Sequence, residues 1–370
     1  MDLLVAADRS VSVLAFLAPL LATTLAVTAP AAASREQAFA LLADNRLVEV
    51  AVPSGHVIAT VRLAPKPTGD VSEGRFLATD ARDRRLFVLV QTGAGKDWIA
   101  VLDSRTAKLR ARYELERGVL YRGITLAGDV LYAYGGRLGR EVDTTNHARE
   151  ESAVLTELDE ATGMSRGTIT VRPADGHSWW IYWGAARGDG SRIALSYHGG
   201  CFPESIALCT TGADWISVEG ASLRPCQGQK ARLGCMSEAH GMIEPYGVGW
   251  IATSGGETLV QYGRTGNVLR RLHTGITRDH LMDFAFNVDG SRLYAIASCS
   301  GSKGGLRRVS LVGGPSTSIR PRVCGDAVAV GVTAFVIRKG STLELRDLRT
   351  AKLLHRRRLA SDILDAIATR

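Results

Sequence analysis

Three aspartates, Asp283, Asp326 and Asp365, each open a short apolar run in successive copies of one pattern. Carboxylates held at one level raise one another's pKa unless a cation or a hydrogen-bond donor sits between them. One reading is therefore a site for Ca²⁺ or another divalent cation. The other is that each Asp caps backbone N–H groups of a neighbouring turn, since buried polar groups are nearly always satisfied locally. No other cofactor is expected.

Beside this trio stands His177–Trp183, HSWWIYW, which holds half of the six tryptophans. Trp179, Trp180 and Trp183 suit stacking on a sugar ring or on a partner's surface. The same residues also suit a hydrophobic plug, because large aromatics are highly buried on average. Arg122, His240 and His280 lie at or just before the starts of other apolar runs, and His240 and His280 with Glu244 offer acid–base chemistry. The ligand expected at such a surface is a protein or a glycan.

Six cysteines, Cys201, Cys209, Cys226, Cys235, Cys299 and Cys324, all lie in the C-terminal half, and none forms a CxxC pair. An even count in an exported chain argues for disulfides, and the sequential pairing is favoured among the 15 that six cysteines allow. The competing reading is a metal site that uses His198 and Cys201, although zinc sites usually show two tight ligand pairs. The long stretch from His198 to Ser237 has the length of a functional loop.

Several chemistries lack their motif. There is no G-x-S-x-G nucleophile elbow, no HExxH, no P-loop, no EF-hand loop and no CxxCH haem site. The formal charge is +8, from 45 Lys and Arg against 37 Asp and Glu. A basic exported protein meets anionic polymers or headgroups. No aromatic residue interleaves the densest basic run, His355–Arg358, so nucleic-acid binding is not expected. That run reads instead as protection of a sheet edge.

The elements that must position these residues are strands. Asp283–Ala297 reads DFAFNVDGSRLYAIA, two alternating apolar runs about an Asp-Gly turn, which is a hairpin signal. Trp183–Ser196 and Phe76–Leu89 repeat it, and Gly123–Tyr134, Gly241–Ser254 and Asp326–Arg338 do so more loosely. A second strand–turn–strand unit follows each, as in Trp98–Leu115 and Leu343–Leu359. Four strands over roughly 45 residues is the period of a propeller blade. The chain from Ala38 supplies three strands without a first, and Asp362–Arg370 is a spare first strand. The expectation is an all-β, seven-bladed β-propeller of four-stranded antiparallel blades, with the C-terminal strand completing the N-terminal blade. Ring closure of this kind removes exposed edges.

Residues 1–33 read as a signal peptide: Arg9, the uncharged apolar run Val11–Val27, then Ala31–Ala33 as a cleavage site. Residues 34–370 form the single expected domain, with no stable membrane span once the leader is removed.

The strand–turn–strand units LVEVAVPSGHVIATVRL and WIAVLDSRTAKLRARYEL resemble the YVTN-type repeats of bacterial propellers. That group includes exported surface proteins, lactonase-like proteins and the large subunits of quinone-dependent amine dehydrogenases. The YVTN tetrapeptide itself is absent, and Leu293–Ile296 stands in its place. The resemblance implies a secreted, periplasmic or cell-envelope binding or scaffold module. It also admits a metal-assisted lactone hydrolase or a propeller subunit of an amine-dehydrogenase-like enzyme. Residues alone leave enzyme and binding module both open, since one scaffold hosts many functions.

Overall fold

The structure is a computed structural model. It describes Glu36–Thr369 apart from 69–73, 81, 83, 94–95, 143–147, 172–178, 187–192, 200–210, 217–241, 248, 254–257, 264–266, 277–280 and 300–304. Within 140–142, 148–151, 171, 179–186, 194, 196–199 and 211–216 the backbone alone is described.

Antiparallel sheets follow one another along the chain. Their innermost strands, in sheet order, are Ile363–Thr369, Leu77–Asp80, Val119–Ala127, Trp179–Ala186, Ile243–Tyr246, Leu281–Phe286 and Ala327–Val330. The expectation of seven four-stranded blades is corrected by this count. Six sheets are four-stranded and make six complete blades. The fourth sheet, built from Trp179–Ala186, Ile193–Gly199 and Thr211–Ile216, has three strands among the described residues. The chain that follows, 217–241, lies outside the described residues.

The middle strands are apolar because sheets pack on both of their faces. Arg85–Val90 and Trp98–Asp103 are buried over nearly their whole length. The outermost strands face water on one side and alternate accordingly. In Val57–Arg62, Val57, Ala59 and Val61 are half-buried while Ile58, Thr60 and Arg62 are exposed. The apolar clusters lie between neighbouring sheets: Ala38 and Val48 pack with Val336 and Leu345, and Tyr294 and Ile296 pack with Phe335 and Ile337. No blade buries its faces alone, so each needs its neighbours.

The ring closes through the C-terminal strand. Ile363–Thr369 pairs antiparallel with Gln37–Leu42, with Ala38 opposite Ala368 and Leu41 opposite Asp365. Glu36 adds a second tie: its carboxylate accepts the backbone N–H groups of Val332 at 2.6 Å and Thr333 at 2.9 Å, in the seventh sheet. Gly331 makes this contact possible, since a Cβ there would fall 1.7 Å from Glu36 Oε1.

One outer turn recurs with the same chemistry. Asp103, Asp159 and Asp347 each accept, on Oδ1, both the backbone N–H and the hydroxyl of the Thr three residues on. The next residue then takes a left-handed backbone: Ala107 at φ 51°, Gly163 at 70° and Ala351 at 50°. The D-x-x-T-[AG] pattern is thus a local Asx-type turn. The run His355–Arg358 lies on Leu353–Arg358, the edge strand of its sheet, where Arg356 pairs with Glu344.

Among the described residues no helix is long and apolar enough to cross a membrane.

Candidate functional site

The innermost strands share a local irregularity that shapes the centre of the ring. Four of them carry a bulge, with Leu364, Arg122, Tyr182 and Met282 left unpaired in the ladder. Asp365, Gly123, Trp183 and Asp283 are the residues that directly follow. Bulges re-aim side chains and are over-represented beside active sites.

Asp283 and Asp365 use this position in the same way. Asp283 Oδ1 accepts the N–H of Phe284 at 2.8 Å, and Oδ2 accepts the N–H of Val328, in the next sheet, at 2.9 Å. Asp365 Oδ1 accepts the N–H of Ala366 at 2.8 Å. Its Oδ2 accepts the N–H groups of Phe76 at 2.8 Å and Leu77 at 2.9 Å, again in the next sheet. Each carboxylate therefore staples its own inner strand to that of its neighbour. Asp326 does something else: its Oδ2 accepts the N–H of Gly340 at 2.6 Å, in a turn of its own sheet.

Between these staples lies a charge cluster drawn from several sheets. Arg75, just ahead of the inner strand of the second sheet, forms an ion pair with Glu244 on the inner strand of the fifth. Asp365 and Asp283 also act on Arg75 electrostatically, and so does Tyr134. The Arg75 side chain is 33% exposed and that of Glu244 12%, so the pair is largely but not wholly withdrawn from solvent.

The titration of this cluster follows from that enclosure. Burial pushes Asp283 up to about 7, against the lowering effect of its bond from Val328 and of Arg75. Burial likewise raises Asp365 and Glu244, with Arg75 opposing in both. Burial works to lower Arg75, but Glu244, Asp365 and Asp283 overcome it and hold the guanidinium above its ordinary range. Three carboxylates thus crowd about Arg75, with Arg338 also lowering Asp283 and Asp365, yet burial prevails and leaves their charged forms under-stabilised.

Among the described residues no group of three or more His, Cys, Asp or Glu is arranged to hold a metal ion. Arg122 is half-buried on Val119–Ala127. Trp179, Trp180 and Trp183 lie on the innermost strand of the fourth sheet, with Trp180 opposite His198 and Trp183 opposite Ser196. His240 and His280 lie outside the described residues, as do Cys201, Cys209, Cys226 and Cys235. Cys299 and Cys324 are joined by a disulfide that closes 25 residues. Arg75 escaped the sequence reading, although it sits one residue before Phe76, a recognised strand start.

The fold and its closure define a β-propeller. No family model matches this sequence, and no curated protein matches it either. Solved structures do match. One is apo AztD from Citrobacter koseri, at 13% identity and TM-score 0.51, covering 90% of this chain and 98% of that one. Another is a functionally unknown protein from Desulfotomaculum acetoxidans, at 11% identity and TM-score 0.55, covering 86% and 94%. At such identity the likeness is one of fold alone. The resemblance to YVTN-type, lactonase-like and amine-dehydrogenase large-subunit propellers is corrected by these findings. Strand–turn–strand units of that kind recur wherever four-stranded blades do, because alternation and tight turns are demanded by the architecture.

Proposed function

We propose that this chain is an exported binding module of the cell envelope or extracellular space, and that its ligand presents a cationic group to the central channel. The observation that carries the reading is the cluster of Glu244, Asp283 and Asp365 about Arg75. Burial raises the pKa of all three acids. An added positive charge stabilises their ionised forms, whereas an added anion opposes them. Both staple carboxylates are committed to backbone donors, so Glu244 is the acid able to exchange its partner. Arg122 and the tryptophan strand Trp179–Ala186 belong to the same central layer of strands. They are the surface on which the body of a protein or glycan partner rests in this reading.

The test uses 1,4-diaminobutane and succinate as probes of opposite charge, read by thermal melting and tryptophan fluorescence at pH 7. The diamine is expected to raise Tm saturably in the wild type and much less in Glu244→Gln. Stabilisation by succinate instead, or an equal diamine effect in both proteins, would remove the channel as a cation site.

A further inference from the structure

A second surface, of opposite charge, lies away from the channel. Between the sixth and seventh sheets runs a groove of about 810 Å³, lined on one side by Arg292, Arg308 and Arg320 and on the other by Arg349. We infer that this groove is a binding site for a small polyanion carrying two or more phosphate or carboxylate groups. It is independent of the reading given for the channel.

The placement of the arginines follows from the strand register. Arg308 lies opposite Tyr294 on one side and Thr317 on the other, so all three share one face of the sixth sheet. Tyr294 is buried and forms the floor, while Arg308 and Thr317 are exposed above it. Arg320, at the end of the same outer strand, reaches the other wall, where its Nε donates to the carbonyl of Thr350 at 2.9 Å. Its terminal nitrogens remain available to face the groove. Arg292 and Arg349 are exposed at the hairpin turns.

The charge of the groove is largely uncompensated. Some exposed arginines elsewhere are paired, Arg166 with Asp129 and Asp159, and Arg356 with Glu344. None of the four groove arginines forms an ion pair among the described residues. Two carboxylates are near enough to interact, Asp289 with Arg292 and Asp347 with Arg349. Asp347 already accepts the N–H and hydroxyl of Thr350. Four guanidinium forks against one lining carboxylate leave a surplus of donors. Planar forks of this kind match phosphate and carboxylate oxygens in pairs. The volume lies within the range of small-ligand sites.

Isothermal titration calorimetry on the full chain with tripolyphosphate and with tricarballylate tests this inference and separates the two anion classes. Saturable binding of one of them to the wild type is expected, at least tenfold weaker in Arg308→Gln/Arg320→Gln and weaker at higher salt. Both substituted side chains are exposed, so an unchanged melting curve checks that the variant is folded. Arg110→Gln/Arg112→Gln, on the outer strand of the second sheet, is the control and should bind as the wild type does. An equal loss in both double variants would show non-specific charge attraction and overturn the inference, as would no binding of either anion to the wild type.

Discussion

Arg75 and Glu244 form an ion pair although 169 residues separate them and they come from the second and fifth sheets. The pair spans the ring, so it exists only once the sheets are assembled. Removing Arg75 leaves Glu244 enclosed without its ion-pair partner, and removing Glu244 leaves Arg75 only the more distant influence of Asp365 and Asp283. Glu244→Gln and Arg75→Met are each expected to lower stability by about 2 kcal/mol, between the values for surface and fully buried pairs. A double-mutant cycle in urea melts should show strong coupling. Additive effects would mean that the pair contributes nothing as a pair.

Stability should fall as pH rises from about 4 to about 7. Asp283 titrates at about 7 in the folded chain, well above its ordinary value. The folded state then holds a proton that the unfolded state has released. The associated stability is present in full below the unfolded pKa and is lost as pH passes through the folded one. Asp97, which burial pushes up to about 6, acts in the same direction. Asp283→Asn should flatten the upper part of this profile in chemical denaturation between pH 4 and pH 8. An unchanged slope would place the titration elsewhere.

Deletion of Asp362–Arg370 should abolish cooperative folding. The strand Ile363–Thr369 completes the first blade, and Asp365 ties it to Phe76 and Leu77. Its loss bares an edge of Gln37–Leu42, a fully buried strand, to solvent. A soluble truncated chain with a sharp urea transition would contradict this.

Gly331→Ala should cost about 1–3 kcal/mol, the range for losing buried hydrogen bonds. Its methyl group would displace the Glu36 carboxylate from the N–H groups of Val332 and Thr333. Glu36→Ala should produce a similar loss, and the double variant little more than either alone. Additivity in thermal melts would show that the glycine acts independently of the closure.

Reduction of the Cys299–Cys324 bond should lower stability by about 2–4 kcal/mol, because it frees a loop of 25 residues in the unfolded chain. Cys324→Ser should reproduce that loss and make the protein insensitive to reductant at this position. A Cys324→Ser protein as stable as the oxidised wild type would assign the bond no such role.

The sequence by itself determined the strands, their hairpin turns and the closing role of the C-terminal segment. These depend on neighbours in the chain: alternation at period two, Asp-Gly at Asp289-Gly290, and the D-x-x-T-[AG] turns at Asp103, Asp159 and Asp347. Near-repeats of one unit also made the ring legible, since each unit has an apolar face to cover. That the fourth sheet has three strands among the described residues was not legible, because the repeat period set an expectation of four strands for every unit. Only the tertiary structure decided the central cluster. Asp283 and Asp365 were visible as strand openers, but nothing local distinguished them from Asp326, which caps Gly340. Arg75 carries no pattern of its own and acquires its role from Glu244, Asp283 and Asp365, which arrive from three other sheets. Electrostatic coupling depends on distance through space and on enclosure, and neither is written in the spacing of residues along a chain.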